Sequence, residues 1–159
     1  MAEFDGETQY YKAATRRLRD ARALLQMPVT DTQESGAETR HLRAAIYIAG
    51  YAIECILKAH IISHSASART LTEVLRLRRN RGETMPDLTG SDGHNLTLLL
   101  AVADLESDMK SDAARARDWN LCSQWKSTWR YDPEPPPLAF AQQFIEATAR
   151  LHAWINLRV

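Results

Sequence analysis

The stretch AAIYIAGYAIECILKAHI, from Ala44 to Ile61, limits what this chain can fold into. It is apolar over nearly its whole length, yet Glu54 and Lys58 sit inside it. A helix that crosses a bilayer needs about 20 consecutive apolar residues. Here Arg43 precedes the run, Glu54 and Lys58 interrupt it, and His60 and His64 close it. Charges at those depths are costly in lipid. The expectation is therefore a core helix of a helical bundle, with no membrane. On a helical projection Leu42, Ile46, Ala49, Ile53 and Leu57 form one stripe, with Gly50 inside it. Gly50 is expected to let another helix backbone approach closely. Tyr47, Tyr51, Glu54 and Lys58 form a second row beside the stripe. Glu54 and Lys58 are spaced i,i+4 with the acid first, the better orientation for a pair.

Helical periodicity also rules the rest of the chain, and no strand pattern competes with it. A first helix is expected from about Thr8 to Gln26, with Tyr11, Ala14, Leu18, Ala21 and Leu25 facing inward. Arg16, Arg17, Arg19 and Arg22 lie on or near its other face. Met27-Pro28 ends it, because proline cannot continue the hydrogen-bond ladder. The connector VTDTQESGAE leads to the helix over Ala37–Ser63. An Arg-rich insert follows, read as a short helix from Leu71 to about Arg79 within a mobile segment. Further helices are expected from His94 to Asp108, from a cap at Ser111 or Asp112 to about Trp129, and from Leu138 to Leu157. The sum is an all-α, up-and-down bundle of about five helices in a single domain spanning the 159 residues.

Charge and cysteine usage narrow the function classes. Lys plus Arg equals Asp plus Glu, so the net charge is zero and the surface as a whole is no polyanion trap. Cys55 lies within the apolar helix and reads as a buried thiol, and Cys122 has no partner spacing of a zinc site. The N-terminus lacks the apolar core of a signal peptide, so a cytoplasmic location is expected. His60 and His64 are spaced i,i+4, but no third ligand is placed to complete a metal site. No cofactor is implied.

Three pieces in order then carry a resemblance: AGYAIECILKA at Ala49–Ala59, GHNL from Gly93, and the Trp129-Arg130-Tyr131 triplet before DPEPPPL. Together they resemble the HEPN family (higher eukaryotes and prokaryotes nucleotide-binding), over roughly Tyr10 to Leu157. The resemblance implies a helical bundle that commonly forms a homodimer. Some members are metal-independent ribonucleases acting as toxins or defence effectors. Others pair with a small nucleotidyltransferase in toxin–antitoxin systems, and others are scaffolds or nucleotide-binding modules. The nuclease subgroup carries an Arg-x(4-6)-His motif, which is absent here. After Arg130 come Tyr131, Asp132, Pro133 and Glu134 without a His, and Arg150 and His152 are too close. The expectation is thus a dimeric HEPN-like binding or scaffold protein with a partner such as a nucleotidyltransferase. The alternatives are a ribonuclease with a nonstandard site and a nucleotide-binding module.

Each candidate residue has a bland reading beside its functional one. Glu54 and Lys58 are either a marginal surface pair or part of a polar pocket between helices. Arg130 either satisfies helix-end carbonyls or binds phosphate, and Tyr131 either packs on the core edge or joins that site. His94 is the family-matched general base for a cleavage site with Arg130. It is read as a helix-start residue, where the helix dipole favours the neutral imidazole. Tyr47 and Tyr51 either pack or stack on bases. Arg69, Arg76, Arg78, Arg79 and Arg81 are read as a solvated face more than as an RNA contact.

Overall fold

A computed structural model describes residues 5–27, 37–132, 134 and 136–159, with the side chains of residues 37–40 left aside. Most of the connector before Ala37, and two prolines of the run after Tyr131, lie outside the described residues. Seven α-helices and two 3-10 turns make up the described part: α1 (Glu7–Gln26), α2 (Ala37–Ser63), α3 (Leu71–Asn80), the turn Ser91–His94, α4 (Leu96–Val102), α5 (Glu106–Lys110), α6 (Ala113–Cys122), the turn Ser127–Tyr131 and α7 (Leu138–Asn156). The only β pairing among the described residues is an isolated bridge between Gly6 and Thr70. The molecule is an all-α bundle.

The apolar stretch fills its middle. α2 packs against both α1 and α7, with α4 and α3 also on it. Ala45, Ile46, Ala49, Ala52, Ile53, Ile56, Leu57 and Ala59 on α2 are fully enclosed. One helix passes the length and hydropathy test for a membrane span, residues His41–Ser63, and 83% of its apolar window is buried inside the protein. On α1 the buried face is Ala14, Leu18 and Ala21, with Tyr10 packed against the core. Tyr11, expected inward, is 38% exposed. The inward row runs 10, 14, 18, 21, and Tyr11 lies one helical step off it. α7 buries Phe144, Ile145, Thr148, Leu151 and Ile155, and also His152, while Phe140 and Trp154 pack half-buried against the core. Cys55 and Cys122 are buried free thiols, and burial pushes each up to about 12.

Several boundaries differ from the periodic reading, each for a local reason. The helix expected over His94–Asp108 is broken at Ala103–Leu105, where Asp104 takes a left-handed φ of 57°. Its core residues Leu96, Leu99, Leu100, Val102 and Leu105 are buried all the same. His94 closes a 3-10 turn and does not open a helix, because Asn95 is the cap of α4, accepting from the amides of Thr97 and Leu98. The dipole argument for His94 therefore falls. α6 is capped by Asp112, whose carboxylate accepts from the Arg115 amide, and stops at Cys122, short of Trp129. The chain turns there so that Trp125 can lie on α2.

Gly50 serves this turn. A Cβ on Gly50 would sit 2.1 Å from Trp125 Cδ1. The glycine thus admits an indole, where a helix backbone was expected. Trp125 is 3% exposed, and its Nε1 donates to the Tyr47 carbonyl at 3.1 Å.

The Arg-rich insert has a definite place. α3 opens with a reciprocal capping box between Thr70 and Glu73 and buries Leu71, Val74 and Leu75. Asp5, distant in sequence, accepts from Thr72 N and Thr72 Oγ1 at 3.1 and 2.6 Å. Arg78 is half-buried, donating to Glu83 at 2.6 Å and to the Val102 carbonyl at 2.6 Å. The expected solvated face holds for Arg76, Arg79 and Arg81, which are exposed.

Candidate functional site

The second row of α2 is the base of the site. Tyr47, Tyr51, Glu54 and Lys58 recur at i, i+4, i+7 and i+11, so one side of the helix presents all four. Two short 3-10 turns cover that side. One brings His94 and the other brings Arg130 and Tyr131.

Glu54 and Lys58 are not a marginal surface pair. Glu54 is 4% and Lys58 7% exposed. Lys58 Nζ donates to Glu54 Oε1 at 2.8 Å, and the other carboxylate oxygen lies 3.0 Å from His94 Nδ1. A carboxylate offers only acceptors, so the imidazole N–H at Nδ1 points at Glu54. That choice of tautomer leaves the Nε2 lone pair facing away. The His94 side chain is 41% exposed, against 5% for Glu54. Lys58 Nζ also lies over the Tyr10 ring, 5.5 Å from its centroid, which brings α1 into the cluster. Glycine at 93 is required beside it. A Cβ there would lie 2.2 Å from the Leu88 carbonyl oxygen and 3.3 Å from Lys58 Nζ.

The tyrosines connect this dyad to Arg130. The Tyr47 hydroxyl donates to the Tyr51 hydroxyl at 3.2 Å. Tyr51 meets Tyr47, Trp125 and His94 edge to face, with ring centroids 5.1, 5.0 and 5.8 Å away. Burial, then the hydrogen bond and charge of Tyr47, then the charge of Glu54, push the Tyr51 phenol well above its ordinary range, while Arg130 opposes them. Arg130 is exposed, and the Tyr47 hydroxyl beside it raises the guanidinium further. It lies over the Tyr131 ring at 4.6 Å. Tyr131 is 73% exposed.

The turn carrying Arg130 is held from α2. Arg43 Nη2 pairs with Asp132 at 3.1 Å, and its guanidinium lies 5.8 Å from the Trp129 ring centroid. It also donates to the Glu134 carbonyl. Arg43 thus grips both ends of the Trp129–Asp132 segment.

All seven candidates named from the sequence belong to one connected array: Glu54, Lys58, His94, Tyr51, Tyr47, Arg130 and Tyr131. Their roles divide. The Tyr47 and Tyr51 rings are engaged with each other and with Trp125, so they build the floor. Tyr131 is the aromatic left open to solvent. Tyr10, Trp125 and Arg43 support the array through contacts with residues far from them in the sequence. The signal for Tyr10 lay in the i,i+4 step to Ala14. Trp125 and Arg43 gave no pattern, because their partners are far away in sequence.

Chemically, a half-exposed imidazole held by a buried carboxylate suits proton transfer. An exposed arginine at the Tyr47 end of the same row suits a phosphate. His60 and His64 lie elsewhere, with ring centroids 3.9 Å apart. Among the described residues no group of three His, Cys, Asp or Glu side chains is placed to hold a metal ion. A scan of family models and searches of curated proteins and of solved structures each return no match to this chain.

Proposed function

We propose that this protein binds the phosphate of a ribonucleotide chain at Arg130 and cleaves the chain by proton transfer at His94. The observation that carries the reading is the contact of His94 Nδ1 with buried Glu54 at 3.0 Å, on the row of α2 whose Tyr47 end has Arg130 beside it. The scaffold reading drew its weight from the missing Arg-x(4-6)-His motif. A linear spacing is one way to place Arg and His together, and two separate turns over one helix are another. The HEPN resemblance includes metal-independent ribonucleases, but this chain lacks their Arg-x(4-6)-His motif, so the reading rests on the His94–Glu54 geometry.

In this reading His94 Nε2 takes the proton of a ribose 2′-hydroxyl. The 2′-oxygen then bonds to the adjacent phosphorus, and the 5′-oxygen leaves with a proton from solvent. Arg130 offsets the negative charge that grows on the phosphoryl oxygens. Glu54 keeps the imidazole in the tautomer this step needs, and Tyr131 offers a face for a base. The homodimer and defence setting that the resemblance implies, and the cytoplasmic location expected from the N-terminus, are part of the proposal; a nucleotidyltransferase partner belongs to the scaffold alternative.

The test is incubation of purified protein with mixed structured RNAs in EDTA. The wild type is expected to cleave. His94→Ala and Arg130→Ala are each expected to lose about 100-fold or more of the rate. Equal cleavage by all three would overturn the assignment.

A further inference from the structure

The outward face of α1 carries a charge that pairs with no acid among the described residues. Lys12, Arg16, Arg17, Arg19 and Arg22 are all exposed, against Glu7 and Asp20 as the acids of the helix. None of the five makes an ion pair with another described residue. Asp20 stands i,i+4 from Arg16 and still does not pair with it. Lys12, Arg16 and Arg19 follow at i, i+4 and i+7, a line of cations about 10 Å long. They border two adjoining surface concavities. One, of about 550 Å³, is lined by Gln9, Lys12, Ala13, Arg16, Arg17 and Asp20. The other, of about 310 Å³, is lined by Tyr11, Lys12, Thr15, Arg16 and Arg19. Tyr11 is the residue that the helical pattern would have turned inward, and it is 38% exposed among these cations.

We propose that this face of α1 is a docking track for single-stranded nucleic acid, with Lys12, Arg16 and Arg19 on successive phosphates and Tyr11 stacked under a base. A cationic line with an interleaved aromatic is what a flexible strand needs. Phosphates are neutralised along the line, and any base offers a π-face to the ring. Zero net charge does not oppose this, since association follows the local field. Neither concavity is lined by His94 or Arg130, so the track holds a strand and does no chemistry.

The experiment measures binding of a fluorescein-labelled oligodeoxythymidylate to the full chain across a salt series. This probe has no 2′-hydroxyl, so the cleavage proposed above cannot consume it. For single strands the slope of log K against log salt is about −0.7 per phosphate contact. The variant Arg16→Glu/Arg19→Glu is expected to shallow the slope by roughly 1.4 and to weaken binding at least tenfold. Arg16→Gln/Arg19→Gln should give the same slope change without added repulsion. Tyr11→Ala is expected to weaken binding about fivefold or more and leave the slope unchanged. Lys110→Glu/Arg117→Glu carries the same change in net charge at exposed sites elsewhere, and should match the wild type. Equal losses in both glutamate pairs would overturn the track, because net charge alone would then explain binding. Equal displacement of the oligonucleotide by polyglutamate would overturn it too, as plain cation exchange. His94→Ala, which removes no phosphate contact, should keep the slope while losing cleavage, so failure of either proposal is distinguishable from failure of the other.

Discussion

His94 Nδ1 lies 3.0 Å from Glu54 Oε2, although forty residues separate them in the chain. The contact makes Glu54 the shared acceptor of an ammonium from its own helix and an imidazole from a covering turn. A carboxylate this deep costs several kcal/mol to desolvate unless such partners surround it. The apolar run of α2 tolerates Glu54 and Lys58 for that reason: each supplies what the other needs, and His94 takes the remaining oxygen.

Removing one partner should therefore be severe. Glu54→Ala leaves the Lys58 ammonium enclosed without its acceptor and is expected to cost about 3–5 kcal/mol. For a domain of this size that is a fall in Tm on the order of 10 °C. Glu54→Ala/Lys58→Met should recover most of it, since an apolar pair suits the site better than a lone charge. Thermal melts of the three proteins decide the point. A Tm unchanged in the single variant would mean that the pair is not enclosed.

Gly50→Ala tests the seat of Trp125. The added methyl has no room, at 2.1 Å from the indole, so either the indole or α2 must move. A destabilisation of about 1–3 kcal/mol is expected, although alanine is otherwise the better helix residue. Trp125 also donates to the Tyr47 carbonyl, so RNA cleavage should fall with stability. Trp125 fluorescence in the variant would report the displaced ring.

Stability should also fall in mild acid, for a definite reason. Burial, then the charge of His64, hold His60 down from 6.5 to about 4, while the Ala103 and Arg158 carbonyls oppose them. Burial and Arg22 lower His152 as well. A histidine lowered in the folded state is protonated first in the unfolded chain. Its stability contribution is present above pH 6.5 and is lost as pH falls towards 4. For His60 the full loss is on the order of 3 kcal/mol. His60→Gln is expected to flatten part of the decline of Tm between pH 6.5 and 4, with the His152 part remaining. A variant whose decline matches the wild type would contradict this.

The fold was legible where the pattern is local and periodic. Ala37–Ser63 follows from its apolar stripe, and α7 from Phe144, Ile145, Leu151 and Ile155. The breaks were not legible. Nothing in LLLAVADLESD announces that Asp104 turns left-handed, because the reason is the packing of Leu105 and Met109 after the turn. The site was half legible. Tyr47, Tyr51, Glu54 and Lys58 share a helix, and 3.6 residues per turn places them together. That they face inward depends on which turns cover them. Their burial, the role of Arg43 and the grip of Asp5 on α3 are long-range facts that no spacing encodes.

The central claim is that His94 and Arg130 form one phosphate-cleaving face, and the ends of the RNA fragments test it most directly. Attack by the 2′-oxygen predicts fragments ending in a 2′,3′-cyclic phosphate, made in EDTA, and none from RNA with 2′-O-methyl at the cleaved position. His94→Ala should abolish those ends while its melting curve stays cooperative. Cyclic ends made equally by His94→Ala, or cleavage of the 2′-O-methyl RNA, would contradict the account.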